Sequence, residues 1–241
     1  MWKAKIVINN STPVRVKDHG KLRDAIKRLE RKNLKKRNNI KMPLKTGIVE
    51  IDKFLPAGGL NRGALHEFYG PNVTAAGFVT VIAAHTTATE NGVVLWCRNG
   101  LELYPPGLAF LGLDPERLVF VNKRDSRKLL WAMEEGLRSG APLVVIGEVE
   151  GVSLISLRRL QLAAETGGVT AFLIRSGKIA TSSPAVTRWR INAQSSSVGA
   201  PAAAWKVELI RVRGGKAGKW EVEQCSEQEK CHETGYLSLV S

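Results

Sequence analysis

The chain has 241 residues, 44% of them hydrophobic, enough to build one substantial core without disulfide staples. Its three cysteines (Cys97, Cys225 and Cys231) lack framework spacing, which argues against a disulfide-knit secreted module and for a reducing compartment. No apolar run reaches the length of a membrane span and MWKAKIVINN has no leader-like apolar core, so membrane classes drop out and a cytoplasmic location is expected.

The net charge of +14 is unevenly spread. Residues 1–45 hold fifteen Lys and Arg against three acids, a balance of +12, whereas the other 196 residues carry only +2. Attraction to polyanions or acidic partners is therefore expected to reside in this arm. Within it, KIVIN reads as a short strand. KLRDAIKRLERKNLKKR (21–37) reads as a basic helix with a narrow apolar seam of Leu22, Ile26 and Leu29. Its nine cations, Lys21, Arg23, Lys27, Arg28, Arg31, Lys32, Lys35, Lys36 and Arg37, are balanced only by Asp24 and Glu30. Such crowding is relieved by a nearby anion, which makes them nucleic-acid candidates; the blander reading is a solvated helix docked through its seam. NNIKMP then reads as a linker.

Beyond residue 45, short apolar runs alternate with amphipathic segments. ALHEFY (64–69), VVLWC (93–97), LVFV (118–121), LVVI (143–146) and VTAFLI (169–174) read as strands covered on both faces. Helices are expected over 75–88, near PGLAFLGL, over 126–139 with Asp125 as cap and a Leu130, Met133, Leu137 stripe, and over 154–166 with Ser153 as cap and Gly167 and Gly168 as stop. Alternation of this kind predicts a mostly parallel sheet with crossover helices. After Arg175 come VTRWRI, WKVELIRVR and KWEVE, the last two forming an antiparallel hairpin about GGKAG, and then a polar tail in which GYLSLV could dock. The division is an arm over 1–45, a core with its β extension over 46–223, and a tail over 224–241.

His66 reads as a core histidine. Cys225, Cys231 and His232 lack a fourth metal ligand. Glu134 and Glu135 read as exposed helix residues balanced by Arg138. Arg188, Trp189, Arg190, Trp205, Arg211, Arg213 and Trp220 form a partner-interface candidate, a surface able to stack bases or grip a protein. Against it stands the simpler expectation from strand alternation, with tryptophans inside and cations outside.

From Leu44 onward the sequence resembles the core of the RecA recombinase family, through TGIVEIDKFLPAGGLNRGALHEFYGP (46–71), LGLDPERLVFV, LRSGAPLVVI and VTAFLIR. Within it the chain resembles the ImuA family of SulA-related inducible mutagenesis proteins, through ELYPPGLAFLGLDPERL, LWAMEEGLRSG, RRLQLAAETGGVTAFLIR, PAVTRWRI and WKVELIRVRGGKAGKWEVE. The resemblance implies a RecA-like sheet flanked by helices, with a basic N-terminal helix and a C-terminal antiparallel extension.

It also frames a set of losses. The loop Gly70, Pro71 … Ala76, Gly77 stands where the family binds triphosphate, with Ala76 in place of the phosphate-binding lysine and Gly77 in place of the Thr or Ser that coordinates magnesium. Gly147 stands where LVVI should end in the metal-holding Asp, with Glu148 offset to the other strand face, and Asn99 stands near the water-activating glutamate. Lysine, hydroxyl, carboxylate and base supply the charge that a triphosphate and its metal require. Their joint loss implies a RecA fold kept as a scaffold, with no hydrolysis, no catalytic residue, no cofactor and no bound metal. The resemblance further implies an accessory of SOS-induced translesion synthesis that binds an inactive Y-family polymerase relative of the ImuB type and RecA, works indirectly with an error-prone replicative-type polymerase, touches DNA through its arm, and can self-associate. Two alternatives stay open: a SulA-like division inhibitor binding the tubulin-like division protein, and a divergent DNA-dependent ATPase.

Overall fold

The structure, a computed structural model, describes residues 3–6, 14–16, 42–99, 103–179, 181–195, 203–224 and 237–239. The basic segment 21–37 and the Cys225, Cys231, His232 group lie outside the described residues.

Five apolar runs become the parallel strands β3 (Leu65–Tyr69), β4 (Val94–Arg98), β5 (Leu118–Asn122), β6 (Val144–Glu148) and β7 (Thr170–Arg175). With β1 (Lys3–Ile6), β2 (Val14–Val16), β8 (Thr187–Gln194), β9 (Ala204–Val212), β10 (Gly218–Gln224) and β11 (Leu237–Leu239) they form one sheet in the order β11-β10-β9-β8-β3-β7-β6-β4-β5-β1-β2. β8 continues the parallel block beside β3, and β9, β10 and β11 then add antiparallel. At the opposite edge β1 lies antiparallel on β5 and pairs with β2, so part of the basic arm extends the sheet.

Two apolar layers follow from period-two alternation. On one face, α1 (Val49–Phe54), α2 (Asn72–Thr89) and α3 (Pro105–Phe110) pack on Phe68, Trp96, Ile146, Phe172, Trp189, Trp205 and their neighbours. On the other, α4 (Ser126–Ser139) and α5 (Leu154–Gly167) cover Leu65, Leu95, Val119, Val145 and Leu173. The expected caps are in place: the Asp125 carboxylate accepts from Arg127 N, Ser153 Oγ accepts from Ser156 N, and left-handed Gly140 and Gly168 close the two helices. The TG…D pattern also finds its reason, because Asp52 Oδ1 accepts from both Thr46 N (2.9 Å) and Thr46 Oγ1 (3.0 Å), fixing the entry to α1.

Three local expectations need correction. α4 buries Leu129, Ala132, Met133 and Leu137, with Leu130 only partly covered. Glu134 is buried because it accepts from Arg159 (2.8 Å) on α5, an inter-helix partner invisible to a one-helix reading. The helix after β3 starts at Asn72, three residues earlier than its periodicity indicated.

Candidate functional site

The early start of α2 decides the character of the nucleotide-type loop. β3 ends at Tyr69, Gly70 N donates to Arg175 O (3.2 Å), and by Asn72 the chain is already helical. Ala75 N donates to Pro71 O (2.9 Å) and Thr80 Oγ1 to Ala76 O (2.7 Å), so the amides from Ala75 onward serve the helix. Only the first-turn N–H groups of such a helix lack internal partners. A phosphate cradle needs consecutive amides converging from a loop, with glycines to permit the path. Here Gly77 is not among the residues with positive φ, and Ala75 and Ala76, both strong helix formers, lie inside the helix.

The C-terminal strands fill the ground beside this turn. Trp205 Nε1, on β9, donates to Thr74 O at 3.1 Å, and a Cβ on Gly77 would sit 3.5 Å from the Trp205 ring and 3.8 Å from Leu111. On the far side of the loop a Cβ on Gly70 would lie 2.1 Å from the carbonyl oxygen of Ile191 on β8. Gly70 is thus required by the approach of a neighbouring strand.

The metal and base positions need one correction of face. Gly147 opens onto Met133 beneath α4, on the sheet face away from α2, so it is not aimed at the loop. Glu148 lies on the α2 face, where Oε1 accepts from Trp96 Nε1 (2.8 Å) and Oε2 faces Arg98 Nε (3.5 Å). The register across β4 and β6 places Arg98 opposite Glu148 and explains the pairing. Burial raises the Glu148 pKa, with Arg98 and the Trp96 N–H opposing. This carboxylate is engaged by two protein donors. Asn99 is exposed at the end of β4.

The interface candidate divides in two. Trp189 and Trp205 are core residues, stacked near Phe68 and edge-on to Phe78, and Trp220 packs edge-on against Phe54. Trp189 and Trp205 cannot stack bases, because the sheet face they occupy is closed by α1 and α2, and Trp220 is half-buried against the same layer. Arg188 is buried as well, its Nε 3.4 Å from Glu67 Oε2, while Arg175 Nη1 reaches Glu67 Oε1 (2.9 Å) and the Tyr69 hydroxyl (3.1 Å). A buried carboxylate held between two guanidiniums across β7, β3 and β8 is a structural group. Arg190, Arg211 and Arg213 are exposed. Arg190 shares Glu208 with Lys219, and Lys206 pairs with Glu221, so three cations of this face are matched to two carboxylates.

Between the strand ends an open cleft of about 500 Å³ is lined by Tyr69, Pro71, Ser176, Lys178, Arg190 and Asn192, among others. No group of three or more His, Cys, Asp or Glu among the described residues is placed to hold a metal ion, and no helix among them is long and apolar enough to cross a membrane.

Fold and site together define a RecA-like α/β protein whose phosphate-loop segment is helical. No family model matches the chain. It is 32% identical over 219 residues to Protein ImuA of Caulobacter vibrioides, covering 82% of this chain and 88% of that protein, and the chain belongs to the ImuA family. Shorter similarities run to Protein RecA of Cutibacterium acnes, 30% over 109 residues, covering 45% of this chain and 31% of the relative, and of Mycobacterium ulcerans, 28% over 122 residues, covering 51% and 34%.

Proposed function

We propose that the protein is a binding component of the ImuA/ImuB mutagenesis system, acting in damage-induced translesion synthesis without hydrolysing nucleotide. The observation that carries this reading is the helical winding of 72–77, backed by Trp205: the turn is wound as helix where a phosphate cradle would need converging loop amides, and it has Ala76 and Gly77 at the positions of the lysine and the metal-binding hydroxyl. Glu148, the carboxylate on the correct face, is engaged by Trp96 and Arg98. The partners are an ImuB-type inactive polymerase relative and RecA, with the replicative-type polymerase reached indirectly. The exposed face of β8, β9 and β10 around Arg190, Arg211 and Lys206 meets them, since its paired charges confer register more than raw attraction.

Two measurements test this. Calorimetry with Mg²⁺ and ATP is expected to show no saturable heat; a stoichiometric site with turnover overturns the non-catalytic reading. Pull-down of a purified ImuB-type protein and of RecA is expected to weaken when Arg190→Glu and Lys206→Glu are combined. Undiminished capture moves the interface elsewhere.

A further inference from the structure

α5 completes its own packing with residues on one side only: Leu157, Leu160, Ala163 and Ala164 lie in the core. Ile155 and Leu162 do not take part, being 72% and 60% exposed. They are seven residues apart, two helical turns or about 10 Å along one line, a position that ordinarily carries polar side chains. Between them stand Arg158 and Arg159, both exposed. Arg159 and Arg138 share the single carboxylate of Glu134, and Arg158 forms no ion pair among the described residues. Counted over α4 and α5 together, five cations face three carboxylates, one of which, Glu165, is engaged by Gln161 Nε2 at 2.6 Å.

We propose that this outward stripe of α5 is a docking surface for an acidic amphipathic helix of a partner protein, Ile155 and Leu162 taking its apolar residues and Arg158 and Arg159 its carboxylates. A second copy of this chain is a poor occupant. Residues 155 and 162 are symmetric about the 158–159 pair, so pairing α5 with its own copy, in either direction, brings guanidiniums against guanidiniums where the apolar contacts form. A partner with apolar residues two turns apart and carboxylates between them matches both elements. The surface gives the accessory role above a second contact, but it lies across the sheet from α2 and requires nothing of the nucleotide-type loop.

The probe is a fluorescent 21-residue helical peptide with leucines two turns apart and glutamates between, alongside a twin carrying lysine at each glutamate. With the full chain, anisotropy is expected to show saturable binding of the glutamate peptide only. Combining Ile155→Ala with Leu162→Ala should weaken it about tenfold or more. Arg158→Glu with Arg159→Glu should abolish it and confer binding on the lysine peptide. Because Arg159 bonds Glu134, Arg158→Glu alone, with melting measured beside it, separates docking from folding. Glutamate-peptide binding that is absent in the full chain or indifferent to the alanine pair overturns the proposal. So does a concentration-dependent dimer that Leu162→Glu abolishes, which would give the stripe to a second copy.

Discussion

His66 is fully buried between two hydrogen-bond partners whose donor and acceptor roles leave one consistent pattern. Asn61 O can only accept, so His66 Nε2 carries the proton (2.9 Å); Nδ1 then accepts from Thr187 Oγ1 (2.7 Å), which itself accepts from Trp189 Nε1 (2.7 Å). Burial, partly opposed by the Asn61 carbonyl, pushes the His66 pKa down to about 4. The unfolded chain binds this proton near its ordinary value and the folded chain does not, so stability is full above about pH 6.5 and is lost as pH falls toward 4. The loss amounts to about 3 kcal/mol. Urea midpoints across this range should fall for the wild type, with a shallower fall for His66→Phe; parallel curves would refute the assignment. Sequence spacing identified His66 as a core residue, but its Nδ1 partners Thr187 and Trp189 come from β8, 121 residues away in the case of Thr187, and had no local signal. The same holds for Arg188: alternation correctly set it on the face opposite Trp189, yet only the three-dimensional neighbours Glu67 and Arg175 explain why that face is closed there.

At the level of elements, the five apolar runs and the caps at Asp125 and Ser153 were legible because strand and cap signals are local. The start of α2 was not, because NVTAAG has helix-compatible residues but no apolar period of its own. What fixes it is β9, through Trp205 on Thr74 and Gly77. Side-chain identity alone therefore does not decide whether this turn can cradle a phosphate. Replacing Ala76 by Lys and Gly77 by Thr restores the missing groups but leaves the amides inside the helix, where they bond earlier carbonyls. The double variant is expected to give no saturable binding of Mg-ATP in calorimetry up to millimolar nucleotide, while retaining its fold by circular dichroism. A site with micromolar affinity would show that the turn unwinds readily and that composition was the only barrier.

On the scale of the whole molecule, the sheet's edges were legible only in part: KIVIN overlaps β1 and GYLSLV contains β11, whereas β2 and the pairing of all three carried no local signal. β1, β2 and β11 are three or four residues long, and each is ordered by the strand it joins. Their placement changes how the charge asymmetry must be tested. The +12 of residues 1–45 dwarfs the +2 elsewhere, and Arg190, Lys206 and Lys219 on the exposed β8–β10 face are each paired with a carboxylate, so DNA affinity should belong to the arm. Deleting residues 1–41 would also strip β1 from β5 and expose a strand edge, confounding charge with folding. Replacing Lys27, Arg28, Arg31, Lys32, Lys35, Lys36 and Arg37 by Gln leaves β1 and β2 untouched. Duplex DNA affinity at low salt is expected to fall at least tenfold, and the slope of log affinity against log salt to flatten by about 0.9 for each phosphate contact removed. An unchanged slope with unchanged affinity would assign DNA binding to the neutral body, where a cleft lined by Lys178, Arg190 and Tyr69 would become the surface to mutate. A lower affinity with an unchanged slope would instead mean that the seven cations act by positioning the arm and leave the phosphates to other residues.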